Sequence, residues 1–410
     1  MTLNKLRSLQ GNKTISDLFT LVFVNFISSG LGFITTIAIA NTLGRETFGH
    51  YIYAVSIGVY GQVIVRIGAD RVLVREIVQF PEEKGNIVLA SIILRSVVFL
   101  VTAIFAFIFF YSDFEQIWVM APTFIIVLAH TLKGFELQGV YDGINRISVH
   151  AKMNIIERSI FFILIWFGMI LLPEHFDLMW VCCSLIFSIC IYLISQFLVI
   201  FKYIQITFTL SVFPEALKIF KKSIWIWVAA IIALSFGTLN KIILGNTEGA
   251  KELGGYAAAN QIAAVAMLFM AQIARIGNPK MAAATKSDTT YEDRKKFISK
   301  YGVFMITAST IVCLPILVFP TQIMELLFVN EYMTSPWLVR AFCIYIIMHS
   351  LGIVASQYVI CARLEFLYFA SVFAGGILGA LLCKLLIPAY GNIGAILALI
   401  FSHGFSMALY

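Results

Sequence analysis

Hydrophobic positions in this chain fall into long runs rather than amphipathic stripes. Apolar residues dominate 15–40, 50–69, 87–110, 117–138, 153–172 and 178–201, with only isolated polar breaks. After a more polar stretch, the runs resume at 223–244, 254–274, 301–320, 336–360, 366–387 and 392–410. A helix crosses a hydrocarbon core of roughly 30 Å with about 20 residues. Runs of that length predict spanning helices, because a lipid-exposed backbone must satisfy its hydrogen bonds within its own segment. The expected fold is an all-α polytopic membrane protein of about 12 transmembrane helices in two six-helix lobes. The polar stretch divides it into an N-terminal lobe at 1–201, a linker at 202–222 and a second lobe at 223–410.

Composition agrees with that reading. Of 410 residues, 60% are hydrophobic and 12% charged, against about a quarter charged in a soluble domain. The basic start MTLNKLRSLQGNK and the run Ala38-Ile39-Ala40 imitate a signal peptide. The apolar stretch behind that start is too long for a cleaved segment and reads as a permanent span.

Charge placement orients the chain, since short cytoplasmic loops retain Lys and Arg. With the N-terminus inside, that side receives Lys5, Arg7 and Lys13, then Arg66, Arg71, Arg75 and Lys84. Lys133, Arg146, Lys152 and Arg158 follow, then Lys202, Lys218, Lys221 and Lys222, and seven more from Arg275 to Lys300. The opposite loops YSDFEQ and PEHFD carry no Lys or Arg, and Arg45, Lys241 and Lys251 are the main cations there. Both termini therefore face the cytoplasm. The net charge of +7 belongs mostly to this asymmetry and gives no support for nucleic-acid binding.

The pattern G-x-Y-x-x-A-x-x-I occurs twice, from Gly49 to Ile57 and from Gly254 to Ile262. Each copy opens the second span of its lobe. Small residues support close helix packing wherever they stand, but the equivalent positions favour duplication of one six-span unit. An even number of spans relates the halves by an axis along the membrane normal, an arrangement used by some alternating-access carriers.

Charges inside the runs are the candidate chemistry. Arg95 interrupts IVLASIILRSVVFLVTAIF, Arg66 and Arg275 lie near the inner ends of their spans, and Arg340 lies in the first turns of another. A charge at mid-bilayer costs about 3 kcal/mol on insertion scales, so such a residue lines a wet cavity, snorkels or is paired. Arg66, Arg95, Arg340 and Arg275 are candidate ligand contacts, with Lys384 weaker. The stretch GADRVLVRE brings Asp70, Arg71, Arg75 and Glu76 together, which fits a salt-bridged gate or an anionic headgroup entry site equally well. Asp17 and Glu157 are candidate ion-coupling carboxylates, each with an interfacial or paired role as the plainer alternative. Pro122, Pro315, Gly30 and Gly32 mark bends or packing faces.

Neither the six histidines nor the seven cysteines form a close metal-ligand spacing, and no phosphate-binding glycine loop occurs. No metal, cofactor or enzymatic activity is expected.

The block LGRETFGHYIYAVSIGVYGQVIVRIGADRVLVREI, Leu43 to Ile77, resembles polysaccharide-unit flippases of the O-antigen type, in the multidrug/oligosaccharidyl-lipid/polysaccharide exporter superfamily. LGGYAAANQIAA and ARIGNPKMAA resemble the corresponding region of the second half. The resemblance implies two lobes about a central cavity in a bacterial inner membrane, alternating between cytoplasm-open and periplasm-open states. It implies an undecaprenyl-pyrophosphate-linked oligosaccharide as substrate, surrounded by membrane lipids, with polysaccharide polymerase and chain-length machinery as partners. Many relatives have fourteen spans, two more than this chain. On that reading the arginines draw in the pyrophosphate, and Asn25, Ser28, Ser29, Gln62, Asn260, Gln261 and Gln272 contact sugar hydroxyls. Coupling to a H⁺ or Na⁺ gradient is left open. A drug or metabolite exporter of the same superfamily is the alternative, and a non-transporting scaffold for polysaccharide assembly a third.

Overall fold

The computed structural model describes residues 3–111, 117–205, 212–285, 290–333 and 336–410. Among these the chain is helical nearly throughout, and nine helical stretches are long and apolar enough to cross a bilayer. Large apolar side chains such as Phe105, Ile194, Leu198, Trp225, Phe366 and Leu385 lie exposed on them, as lipid-facing residues do. The protein is a multi-pass membrane protein.

The chain forms two compact units, and they are not contiguous in sequence. The first comprises Met1–Thr36 and Gly58–Val228, and the second Ile37–Ile57 and Ala229–Tyr410. Helix α1 (Leu3–Arg66) contributes to both; its helical geometry fails at Gly44, with φ 78° and ψ 167°. That left-handed φ suits a residue without Cβ.

The first unit continues with α2 (Ala69–Gln79), α3 (Lys84–Tyr111), α4 (Ile117–Leu132), α5 (Gln138–Gly143), α6 (Ile147–Leu171), α7 (Leu178–Tyr203) and most of α8 (Val212–Ala233). Here α6 packs on α7, α4 on α7, and α2 on α5. The second unit holds α9 (Thr238–Thr247), α10 (Ala250–Ala284), α11 (Tyr291–Val318), α12 (Pro320–Leu327), α13 (Pro336–Cys361) and α14 (Glu365–Ala408). There α13 packs against α10, α11 and α14, while α9 lies on α14.

Three boundaries differ from the sequence reading. The run at 117–138 gives a helix that ends at Leu132 and closes in a 3-10 turn, Lys133–Phe135. The polar and charged residues of KGFELQG leave the helix there because their partners lie on other elements. The run at 223–244 is interrupted by a turn, Leu234–Phe236, and by Gly237. The linker at 202–222 is helical from Val212 onward. Pro315 lies within the continuous α11. The sharper break falls in α14 at Gly391, φ 53°, just after Pro388.

The repeated motif has a specific packing role inside the second unit. A Cβ on Gly49 would lie 1.8 Å from the carbonyl oxygen of Ala250, and one on Gly254 would lie 2.0 Å from that of Arg45. Each glycine thus meets the residue four positions before the other. The two motif-bearing helices cross reciprocally, as a local two-fold relation requires. Around the crossing Tyr51, Ala54, Tyr256, Ala259 and Ile262 are buried. The contacting groups are backbone atoms, which cannot rotate away as a side chain could.

Gly49→Val or Gly254→Val is expected to cost about 3 kcal/mol or more, the upper end for overpacking, and to lower the unfolding temperature in detergent. Gly302→Ala, where an added Cβ meets nothing within 4 Å, leaves that temperature unchanged.

Candidate functional site

The site begins with a break in the backbone. Helix α1 stops at Arg66, and Ile67 and Gly68 follow at φ 55° and 61° before α2 starts at Ala69. Positive φ is unfavourable for a β-branched residue, and Ile67 is fully buried. At Gly68 a Cβ would also stand 2.8 Å from the Trp227 backbone nitrogen. This strained corner keeps Arg66 beside Asp70, with Nε 2.7 Å from Oδ2.

Arg95 of α3 completes the other side of Asp70. Its Nη2 donates to Asp70 Oδ1 at 3.0 Å, while its Nη1 donates to the carbonyls of Gly134, at 2.9 Å, and Glu136. Those carbonyls belong to the tight turn that ends α4. Terminal helix carbonyls lack intrahelical donors and carry the negative end of the helix dipole. Arg95 is a cap for α4 supplied by α3. Its side chain is 0% exposed, against 26% for Arg66.

Glu136 joins the same network from α4's terminal turn. Arg66 Nη2 lies 3.4 Å from Glu136 Oε2 and donates to Gln138 Oε1 at 3.0 Å. The other oxygen, Oε1, accepts from Tyr192 Oη at 2.9 Å and lies 3.0 Å from His150 Nε2. Gln196 fixes the neighbouring backbone, its Oε1 accepting from Leu137 N at 3.0 Å and its carbonyl accepting from Tyr141 Oη at 2.9 Å. The Gly139 amide donates to Asp70 Oδ1 at 3.3 Å, and its missing Cβ would clash with the Asp70 backbone at 2.4 Å. The glycine allows α5 to approach α2 closely enough for that bond.

Two further ion groups flank the network. Lys133 Nζ contacts both oxygens of buried Glu157, at 2.6 and 2.8 Å, and lies 5.8 Å above the Tyr192 ring. Buried Glu76 accepts from Arg75 at 3.1 Å and from Lys222 of α8 at 2.8 Å. Asp70, Glu76, Glu136 and Glu157 therefore each have a cationic partner, whereas half-buried Asp142 of α5 forms no ion pair among the described residues.

The residues expected from sequence divide by these contacts. Arg66, Arg95 and Asp70 come together, whereas Arg75 and Glu76 belong to the separate Lys222 group and Arg71 is exposed. Arg275 and Arg340 belong to the second unit and are exposed, with Arg340 Nε 3.3 Å from the Leu317 carbonyl. Asn25, Ser28, Ser29, Gln62, Asn260, Gln261 and Gln272 are half-buried. Lys384 is exposed, and the side chain of Asp17 lies outside the described residues. Glu136, Gln138, His150 and Tyr192 were not anticipated. The available signal was Glu136 itself, an acid in KGFELQG between apolar runs, but its partners come from other helices.

The second unit has its own ion group. Arg45 donates from Nε to the Lys251 carbonyl at 2.8 Å and pairs with Glu252 at 3.1 Å, while its backbone amide donates to Glu331 at 3.0 Å. Asn392 donates to the second Glu252 oxygen at 2.8 Å. This group joins the two motif helices near the Gly44 break.

The architecture is shared with solved membrane transporters. A structure of the lipid II flippase MurJ, inward closed, is 14% identical and superposes with a TM-score of 0.76, covering 95% of this chain and 86% of that one. An inward-facing multidrug resistance transporter of the MATE family is 11% identical with a TM-score of 0.71, covering 93% and 92%. A MOP superfamily transporter from Pyrococcus furiosus is 14% identical with a TM-score of 0.55, covering 95% and 92%. No curated protein matches the chain in sequence. The fold is that of the MOP-superfamily transporters. Within that class, the family model for polysaccharide biosynthesis proteins matches residues 15–276, more than half of the chain, and the protein belongs to that family.

Arg95→Ala is expected to cost about 3 kcal/mol or more, since it leaves the carbonyls at the end of α4 without their donor and Asp70 with Arg66 as its remaining cation. Thermal unfolding in detergent checks this, with Arg340→Ala, at an exposed position, leaving the midpoint close to wild type.

Proposed function

We propose that this protein moves an undecaprenyl-pyrophosphate-linked oligosaccharide from the cytoplasmic to the periplasmic leaflet of a bacterial inner membrane by alternating access. Membership of the polysaccharide biosynthesis family supports a glycan-bearing cargo. The observation that carries the reading further is Arg66, a partly exposed guanidinium held between Asp70 and Glu136. A pyrophosphate entering a low-dielectric space needs fixed cationic donors, and a guanidinium offers several in one plane. In the proposed mechanism, the phosphate oxygens replace the carboxylates at Arg66. Arg95 keeps hold of Asp70, so the released carboxylate remains neutralised. Binding is an exchange of anions rather than the filling of an empty site.

Arg340 and Arg275 are assigned the same class of contact from the second unit. The half-buried amides and hydroxyls at Asn25, Ser28, Gln62, Asn260 and Gln261 are assigned to sugar hydroxyls. Dividing the long helices at Gly44 and Gly391, and adding the sixteen-residue α4, supports a topology of twelve spans with both termini cytoplasmic. We place the polysaccharide polymerase and chain-length machinery downstream as partners.

An exporter of organic cations would present an unpaired carboxylate to its cargo. In the first unit Asp70, Glu76, Glu136 and Glu157 each have a basic partner, which favours anionic cargo. Glu157 already holds the tethered ammonium of Lys133 in place of a free ion.

The test is leaflet transfer of a labelled undecaprenyl-pyrophosphate oligosaccharide in proteoliposomes. Wild type is expected to transfer it, and folded Arg66→Ala to lose at least about 90% of the rate, which is the loss of a charge-assisted contact worth about 1.4 kcal/mol. Arg66→Lys separates charge from guanidinium geometry. A wild type that expels organic cations and leaves the glycan in place would overturn the assignment in favour of an exporter.

A further inference from the structure

A second polar group lies inside the second unit, remote in sequence from the arginine network. Tyr345 and His349 stand one turn apart on α13, with rings 5.5 Å apart and nearly parallel. His403 of α14 lies across them, 5.0 Å from the Tyr345 ring and 5.4 Å from His349, edge-on to both. Phe236, in the turn between α8 and α9, closes the group at 4.3 Å from His403. Tyr345 is buried, and the two imidazoles are half-buried.

The hydrogen bonds fix a protonation pattern. His403 Nδ1 lies 3.2 Å from the Leu399 carbonyl, which can only accept. Nδ1 therefore carries the hydrogen, and Nε2 of the neutral ring has a free lone pair. Tyr345 Oη lies 3.2 Å from that Nε2 and donates to it. A proton arriving at His403 can add only at Nε2. The imidazolium then donates to the tyrosine oxygen, and the tyrosine hydrogen must turn elsewhere.

The surroundings limit occupancy. Among the described residues no carboxylate lies within ion-pair distance of His349 or His403, whereas His150 of the first unit has Glu136. The uncharged titratable groups on the elements packed around the pair include Tyr256 of α10, Tyr301 and Cys313 of α11, Cys343 of α13 and Cys383 of α14, with Lys241 on α9. The acids of these elements stand at helix starts or on α12, as Glu252 of α10 (paired with Arg45), Glu292 and Asp293 of α11, Glu365 of α14 and Glu325 of α12. Arg340 of α13 and Lys384 of α14 are exposed. None of these acids forms an ion pair with either ring among the described residues, and two imidazolium rings at this separation repel one another. Open space adjoins the group, since a Cβ on Gly352, one turn beyond His349, or on Gly237, next to Phe236, would meet nothing within 4 Å.

We propose that His349, His403 and Tyr345 form a binding site for one proton, and that loading and unloading this site couples transport to a proton gradient. The binding step transfers H⁺ from hydronium to His403 Nε2 and leaves water. The coupling half rests on the transport reading above. An uncompensated imidazolium between packed helices requires water or added carbonyl contacts. Loading the site therefore favours a looser fit of α13 against α14, and unloading favours the close fit seen here. The group spans α13, α14 and the interruption between α8 and α9, three elements of one unit that such a change would move together.

Two measurements test the proposal separately. In the first, the full-length protein is labelled at histidine and its imidazole nitrogens are followed by NMR over roughly pH 5 to 8, the range in which histidine titrates. Signals are assigned with His349→Gln and His403→Gln. The expected result is an Nδ1–H tautomer for His403 at high pH, uptake of one proton by the pair, and a shift of that midpoint in Tyr345→Phe. Uptake of two protons with independent midpoints, or none across the range, would overturn the site. In the second, glycan transfer is compared with and without an imposed proton gradient. Wild type is expected to be accelerated by the gradient, and His403→Gln to lose that acceleration; retention would overturn the coupling. If His403→Gln fails to fold, His349→Gln and Tyr345→Phe take its place. A wild type that titrates as expected yet moves no lipid-linked glycan would leave the proton site standing and reject the transport reading instead.

Discussion

A guanidinium cut off from water must be surrounded by acceptors, and much of the first unit is arranged around meeting that demand at Arg95. The side chain reaches from α3 to two carbonyls at the end of α4 and to a carboxylate on α2. Removing any one of these leaves a buried polar group without its partner, which is more costly than never having made the bond. The termination of α4, the position of α2 and the orientation of Asp70 are therefore linked through one side chain. Arg66 acquires its position from the same arrangement, since the Asp70 carboxylate is shared between the two arginines.

The paired network explains why the two arginines serve different ends although both interrupt apolar runs. Arg95 has both Nη groups committed to protein acceptors in a dry site. Arg66 sits at a strained corner, partly exposed, with the carboxylate partners that the proposed cargo would displace. Burial distinguishes the scaffold charge from the one assigned to exchange in the proposed mechanism. Beside its Arg45 ion group, the second unit also uses neutral pairs in its interior, such as Ser309 with Ser350, 3.1 Å apart, and Asn240 with the Ala395 carbonyl at 2.9 Å.

Much of this was legible in the sequence, because membrane helices obey a strong local rule. Apolar run length located the helices, and the recurrence of Gly49 and Gly254 pointed to close helix packing before their reciprocal contact was visible. The Arg66–Asp70 pair was also readable, as the two residues are four apart. Glu136, His150 and Tyr192 escaped because their association depends on how α4, α6 and α7 are brought together, which no local spacing encodes. The end of α4 escaped for the same reason: the mixed residues at 133–138 could equally close a span, and it is Arg95 from another helix that holds their carbonyls in a turn. The division of α1 between the compact units has no composition signal either, since Ile37–Ile57 is as apolar as its surroundings.

That last feature bears on how the protein is made. The segment Ile37–Ile57 leaves the ribosome early, yet the backbone against which Gly49 closes is at Ala250. At roughly 5–20 residues per second, the intervening chain takes on the order of tens of seconds to synthesise. During that interval the glycine face of the first motif helix has no native partner and must be shielded by lipid, by the insertion machinery or by a provisional helix neighbour. The second unit cannot be completed by an isolated C-terminal fragment, because its crossing helix is supplied by the first sixty residues of the chain. The order of biosynthesis thus ties the two units into one assembly event, even though each possesses its own compact interior.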